Sequence, residues 1–303
     1  MLPLAASALF WAACVPSEGT KPGEDSLEVR NRADEVVDTT GLLLSQDDGS
    51  AKYVEGQWTE EKAMAVVYGL YDKGMECSKW VCKPSERKSF GDKIDDQGML
   101  YTRAAGHFQY KTSEGNKVLL LTETLSREAG GWEECHACAP IVGLAEFTEL
   151  EGDWFVQGLR KDLETMGSWG QLPPNELVQV GPDNFAVMFE PGYLQMGILE
   201  SKFVVAGIVD GKFEVVLDVE ASYSNEGYYF EDFFPEKAYS FESSTEWKKG
   251  SNPSWYDLII TTKGKRPISG KEDGDDIREF VEKSTYKFEN GKYVLEDKVT
   301  DVN

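Results

Sequence analysis

The first regular pattern along the chain is helical. In TEEKAMAVVYGLYDKG, Ala63, Val66, Val67 and Leu70 recur at helical spacing. Thr59 stands where an N-cap belongs, Glu60 and Glu61 complement the first turn, and Gly74 supplies a stop. The preceding NRADEVVDTTGLLL is ambiguous. From about residue 98 the period changes to that of strands, with KVLLLTETL and APIVGLAEFTEL as clear examples. Three hairpins, FTELEGDWFVQG, AGIVDGKFEVVLD and YKFENGKYVLED, share one local design. Each places an acidic residue or Asn before a glycine (Gly152, Gly211 or Gly291), then a polar residue and an aromatic one. Between the first two, the chain parses into about four strands, with turns at Gly181-Pro182-Asp183 and Pro191-Gly192. SWYDLIITTKGKR reads as a strand, SGKEDGDDIREFVEKS as an acidic loop, and the last hairpin follows. The pattern predicts a mainly β fold, an antiparallel meander or β-propeller-like, with one short N-terminal helix. The β-rich body spans 35–303, with a possible subdivision near 150.

Composition narrows what such a body can meet. The 303 residues include 41% hydrophobic ones, enough for one large domain or two ordinary ones. Against 31 Lys and Arg stand 54 Asp and Glu, a net charge of -23 that repels phosphate backbones. Nucleic acid is therefore not an expected partner, and the acidic surface serves solubility first. The N-terminus differs from the rest: MLPLAASALFWAAC carries no charge and gives way to the polar VPSEGTKPGEDS, as an export signal gives way to a tether. The apolar run is shorter than the roughly 20 residues of a spanning helix.

Ala12 and Ala13 before Cys14 resemble the lipobox of bacterial lipoproteins. The resemblance implies cleavage before Cys14 and a diacylglycerol on its sulfur, with 1–14 as signal and 15–34 as flexible tether. It further implies export to the bacterial cell envelope, membrane-anchored or periplasmic, with the membrane met through the lipid. Trp11 stands where the family has an aliphatic residue, and no Lys or Arg precedes the apolar run.

Four cysteines remain, Cys77, Cys82, Cys135 and Cys138, and an even number in an exported chain points to disulfides with three possible pairings. The same four sulfurs, with His136 as an alternative ligand, have the spacing of a metal site, but an oxidising compartment opposes reduced thiolates. No metal or cofactor is expected. CHAC is also a C-x-x-C redox pattern, yet the segment after it reads as a strand and not as the helix whose N-terminus stabilises a thiolate. Ala139 stands where covalent haem attachment needs His. A structural staple is the expected role. ECHACAPIVGLAEF, with the downstream GSWGQ, resembles uncharacterised exported bacterial proteins, which implies export and a cysteine pair belonging to the fold.

His107, in AAGHFQY, is expected to pack at the start of a strand. No phosphate loop, nucleophile elbow or H-E-x-x-H motif is present, and no catalytic residue is singled out. The aromatic stretch from Tyr223 to Tyr256 admits two readings, a buried cluster under a loop or a platform for a protein or glycan partner. On the second reading Tyr228, Tyr229, Trp247 and Trp255 face the partner, as does Trp169 in SWGQLPP. The expected function is a tethered envelope protein with a binding or structural role. The alternatives are an envelope thiol-disulfide oxidoreductase using Cys135 and Cys138, and a glycan-acting hydrolase.

Overall fold

The structure, a computed structural model, describes residues 52–128, 131–132, 135–229, 234–267 and 276–302. Cys14, the expected signal and the tether lie outside the described residues. The first half of the chain carries β1 (Tyr53–Val54), α1 (Glu60–Tyr68), β2 (Tyr71–Asp72), β3 (Cys77–Val81), α2 (Arg87–Phe90), β4 (Met99–Thr112) and β5 (Gly115–Leu125). It continues through β6 (Arg127–Glu128), β7 (Gly131–Trp132), β8 (Ile141–Leu150) and β9 (Asp153–Thr165). The second half carries β10 (Asn175–Gln179), β11 (Phe185–Phe189), β12 (Gly192–Gln195), β13 (Ile198–Val209) and β14 (Lys212–Ser224). It ends with β15 (Ser240–Lys248), β16 (Asp257–Pro267), β17 (Ile277–Glu289) and β18 (Lys292–Val302).

Among the described residues every strand pairing is antiparallel. A seven-stranded sheet runs β1-β9-β8-β5-β4-β3-β2, and a nine-stranded sheet runs β10-β11-β13-β14-β15-β16-β17-β18 with β12 attached to β13. The fold is thus mainly β and built as meanders, without radial four-stranded blades among the described residues. The chain changes sheets between Thr165 and Asn175, whereas residue 150 lies inside the β8–β9 hairpin.

Local chemistry sets the elements. Thr59 Oγ1 accepts from Lys62 N at 3.3 Å and starts α1 with Glu60 and Glu61 in the first turn. The helix stops at Gly69 (φ 94°), whose N–H donates to Ala65 O, well before Gly74. Leu70, expected on the apolar face, is consequently 86% exposed. The three expected hairpins turn on Glu151-Gly152, Asp210-Gly211 and Asn290-Gly291, each pair with two positive φ angles. That is the type I′ geometry whose hand matches the twist of the flanking strands. Met196-Gly197 makes a fourth such turn.

The layers follow from which side chains alternate. In β5, Val118 and Leu120 face α1 with Ala145, Phe147 and Val156. Leu119 and Leu121 point the other way, joining Val142 and Leu144 against Val187, Phe189, Val204, Ala206 and Phe213 of the second sheet. Within that sheet Ala186, Met188, Phe203 and Val205 form a third seam with Trp255, Leu258, Ile260 and Tyr293. The seam exists because β14 and β15 are joined only through Ser222↔Glu242, Tyr223↔Phe241 and Ser224↔Ser240. Beyond those pairs the sheet curls over and packs on itself as a half-barrel.

One buried polar link ties helix to sheet, and a second cross-links three neighbouring strands of the second sheet. Tyr68, at the end of α1, hydrogen-bonds Thr122 of β5 at 2.7 Å, in space left by Gly143 of β8. A Cβ at Gly143 would lie 2.4 Å from Thr122 Oγ1 and 2.5 Å from the Tyr68 hydroxyl. In β17, Glu282 accepts from Arg266 at 2.9 Å and Thr300 at 3.0 Å, and pairs with Lys298 at 2.7 Å. Burial raises the carboxyl pKa, but these hydrogen bonds outweigh it, and the net pKa falls below the ordinary value of 4.5.

Gly143→Ala is expected to cost about 2–4 kcal/mol in urea unfolding with the m-value unchanged; a loss under about 1 kcal/mol would mean that the Tyr68–Thr122 contact moves aside freely. For Glu282, a depressed folded pKa means stability that is complete above the unfolded carboxyl value and lost as pH falls through the folded one. Glu282→Gln is therefore expected to be about 2 kcal/mol less stable than wild type at pH 7. The two unfolding curves should converge on acidification, and parallel pH dependences would contradict the assignment.

Candidate functional site

Cys135 and Cys138 form a disulfide with Cα atoms 4.9 Å apart, and Cys138 N donates to Cys135 O at 2.9 Å. The closed turn leads into strand β8, so no helix N-terminus stands behind either sulfur. Both cysteine carbonyls are occupied: Trp169 N donates to Cys135 O at 3.0 Å and Gly170 N to Cys138 O at 2.8 Å. Underneath, Arg103 pairs with the buried Glu123 and donates to Gly170 O at 2.9 Å, while Leu172 N donates to Glu123 at 3.2 Å. The disulfide thereby holds the turn that presents Trp169, which sits at φ 54° and is 54% exposed, with His136 edge-on at 5.5 Å.

Cys77 and Cys82 are free and buried. Cys77 lies on β3, where side chains alternate, so positions an odd number apart face opposite ways. Ser78 donates toward Met64 O of α1, and Trp80 and Cys82 lie in the same helix-facing core, while Cys77 is on the other side. Five residues of extended chain span roughly 16 Å, far beyond disulfide reach. Burial raises both thiol pKa values. The four sulfurs do not converge, and no group of three or more His, Cys, Asp or Glu suited to a metal occurs among the described residues.

The aromatic candidates divide. Trp255 is 8% exposed and stacks flat on Phe288 at 3.9 Å, and Trp247 packs edge-on against Tyr293 at 5.5 Å. Trp255 fills the half-barrel seam, which corrects the expectation that it faces a partner, and Trp247 packs partly buried against the same seam. Tyr228 is 40% exposed and meets Tyr229 edge-on at 4.9 Å. Only Trp169 and Tyr228 therefore present large open faces among the five. His107 lies inside β4, not at its start.

A concave site lies elsewhere, at the end of the first sheet near the start of α1. The helix has nine residues, about 13 Å of length, whereas β5 has eleven residues and extends roughly 36 Å. The helix cannot cover the strands to their ends. The uncovered stretch is an open cleft of about 440 Å³ whose lining includes Gln57, Trp58, Gln109, Val118, Glu149 and Trp154. Trp58 precedes the helix cap and packs on His107 at 4.8 Å and edge-on to Phe147 at 6.1 Å. Its loop is held by Lys62 Nζ, which donates to Glu55 O at 2.9 Å and Gln57 O at 3.0 Å, and by Gly56 N donating to Asp153 at 2.8 Å.

The polar groups of the cleft are oriented as a chain. His107 Nδ1 lies 2.7 Å from a Glu60 carboxylate oxygen, and His107 Nε2 lies 3.4 Å from Gln109 Nε2. The consistent assignment has Nδ1–H donating to Glu60, which leaves Nε2 to accept from the Gln109 amide. On the opposite wall Asn116 Nδ2 donates to Glu149 at 2.7 Å. Trp154 follows the Glu151-Gly152 turn at the position held by Phe213 and Tyr293 in the other two hairpins. Those two are buried, and Trp154 is half-buried. The repeated hairpin design was readable, but which of its three aromatics stays open depends on the length of a helix remote in sequence. No protein-family model, curated protein or solved structure matches the chain.

In a Cys14→Ser background, iodoacetamide at pH 8 is expected to leave Cys77 and Cys82 of the native protein unmodified and to label both after denaturation. The double variant Cys135→Ser/Cys138→Ser should keep the fold and lose about 2 kcal/mol, as a short closed loop implies. Rapid native labelling of either buried thiol would contradict the packing of β3.

Proposed function

We propose that the protein is an exported cell-envelope protein, lipid-anchored through Cys14, that acts by binding, and that the Trp58–Trp154 cleft is its binding site. The observation that carries the binding role is that cleft: two indole rings, two amides and a carboxylate converge on one concavity at the open end of a rigid sheet. Segment 15–34 serves as the spacer between lipid and body. Protein or glycan partners suit the aromatic lining, and the acid excess disfavours nucleic acid. Export and anchoring are supported by the uncharged N-terminal run and by the small residues before Cys14. The disulfide fits an oxidising compartment.

Expressed from residue 1 in a bacterial host, the protein is expected in the membrane fraction, with an N-terminal peptide beginning at a diacylglycerol-bearing Cys14. Cys14→Ser should abolish the modification and release the protein. Cytoplasmic accumulation of the wild type with residues 1–13 retained would overturn the reading.

A further inference from the structure

The cleft is chemically selective. Its aromatic lining is the indoles of Trp58 and Trp154, one brought by the loop before α1 and the other by the first residues of β9. Between and beside them stand Gln57, Gln109 and Glu149, side chains that donate and accept hydrogen bonds over short distances. The lining contains one carboxylate and no cation, and a second carboxylate, Glu60, lies behind Gln109 through His107. Of the nearby ammonium groups, Lys62 is turned onto backbone carbonyls, and Lys111 stands outside the lining, two positions along β4 from Gln109 and opposite Asn116.

An anionic ligand would meet the Glu149 carboxylate with no cation in the lining to offset it. A purely apolar ligand would cover the amides and the carboxylate without replacing their hydrogen bonds with water. The ligand that matches every part has flat C–H-rich faces to lie on an indole and a rim of uncharged hydroxyl or amide groups to meet Gln57, Gln109 and Glu149. A pyranose ring has that construction. The volume of about 440 Å³ lies within the usual range of small-ligand sites, roughly 300–1,000 Å³. The cleft is open at the surface, which suits a segment of a longer chain as well as a free sugar.

We infer that the Trp58–Trp154 cleft binds a neutral saccharide, with the indoles as stacking platforms and Gln57, Gln109 and Glu149 as hydroxyl-binding groups. This inference rests on the reading of the cleft as the protein's binding site, and deepens it by naming the ligand class. Gln109 is the positioned member: His107, held by Glu60, fixes its amide, so it meets the ligand with little orientation left to lose.

The test uses the full chain labelled with 5-fluorotryptophan, its resonances assigned by single Trp→Phe variants. It is titrated separately with cellotriose, the N-acetylglucosamine trimer, trigalacturonate and trialanine, each to about 10 mM. Saturable shifts of the Trp58 and Trp154 resonances by either neutral trisaccharide are the expected result. Trp154→Ala should weaken binding roughly tenfold or more. Gln109→Ala, at an exposed strand position where the fold is not at stake, should weaken it about threefold to tenfold. If trialanine alone shifts these two resonances, the cleft stands as a binding site and the saccharide assignment falls; if trigalacturonate alone does, the requirement for a neutral saccharide falls. If a neutral trisaccharide binds but Trp154→Ala and Gln109→Ala leave its affinity unchanged, the cleft itself is overturned. Silence from both neutral trisaccharides overturns the inference.

Discussion

The molecule is organised by the need to cover β5 and β8 on both faces. Val118, Leu119, Leu120 and Leu121 are all buried, and in an extended strand consecutive side chains point to opposite sides. Such a strand cannot lie at a surface, and its sheet requires two coats. Helix α1 supplies one and the β11–β13–β14 region of the second sheet the other. The second sheet then inherits the same problem, because β11 and β13 have apolar side chains on both faces too. It solves it by folding over on itself, so that the half-barrel is a consequence of the first sheet's hydrophobicity and not a separate unit.

Coverage by unequal pieces leaves a remainder. A nine-residue helix over strands of ten to fourteen residues exposes part of the sheet, and the sequence places tryptophans and amides there instead of a continuous apolar lid. The sheet beside the disulfide is closed in a different way. There the disulfide turn, the Trp169 turn and the Arg103–Glu123 pair are tied together by hydrogen bonds. That end is closed with polar cross-links, and the end beside Trp58 is left concave.

Much of the fold was legible because its signals are local. Glycine turns with a preceding acid or Asn specify type I′ hairpins on their own, and Thr59 caps α1 through a residue three positions away. What was hidden depended on distant partners. REFVEKS reads as an acidic loop, yet it lies in β17, with Phe280, Glu282 and Ser284 buried on alternate positions. An inward glutamate breaks the apolar alternation until Arg266, Lys298 and Thr300 are seen around it. Met196-Gly197 escaped notice because methionine is not a turn former. Trp255 looked exposed among Gly, Ser, Asn and Pro, but Gly207 of β13 leaves the slot it fills: a Cβ there would come within 2.9 Å of its ring. The cleft was hidden for the same reason, since Trp58 and Gln109 meet only after β4 has been brought beneath α1.

The arrangement of the cysteines sets a race during oxidative folding. In the unfolded chain the native partners are three positions apart, and loop closure between them is fast and entropically cheap. Cys77 and Cys82 are nearly as close in sequence and would join almost as readily, although a bond between them is incompatible with an extended β3. Only docking of β3 against α1 and β4, which withdraws both thiols from solvent, removes that competitor. Under oxidising conditions, early docking of this small N-terminal assembly would protect the pairing, a kinetic requirement distinct from the stability of the finished molecule.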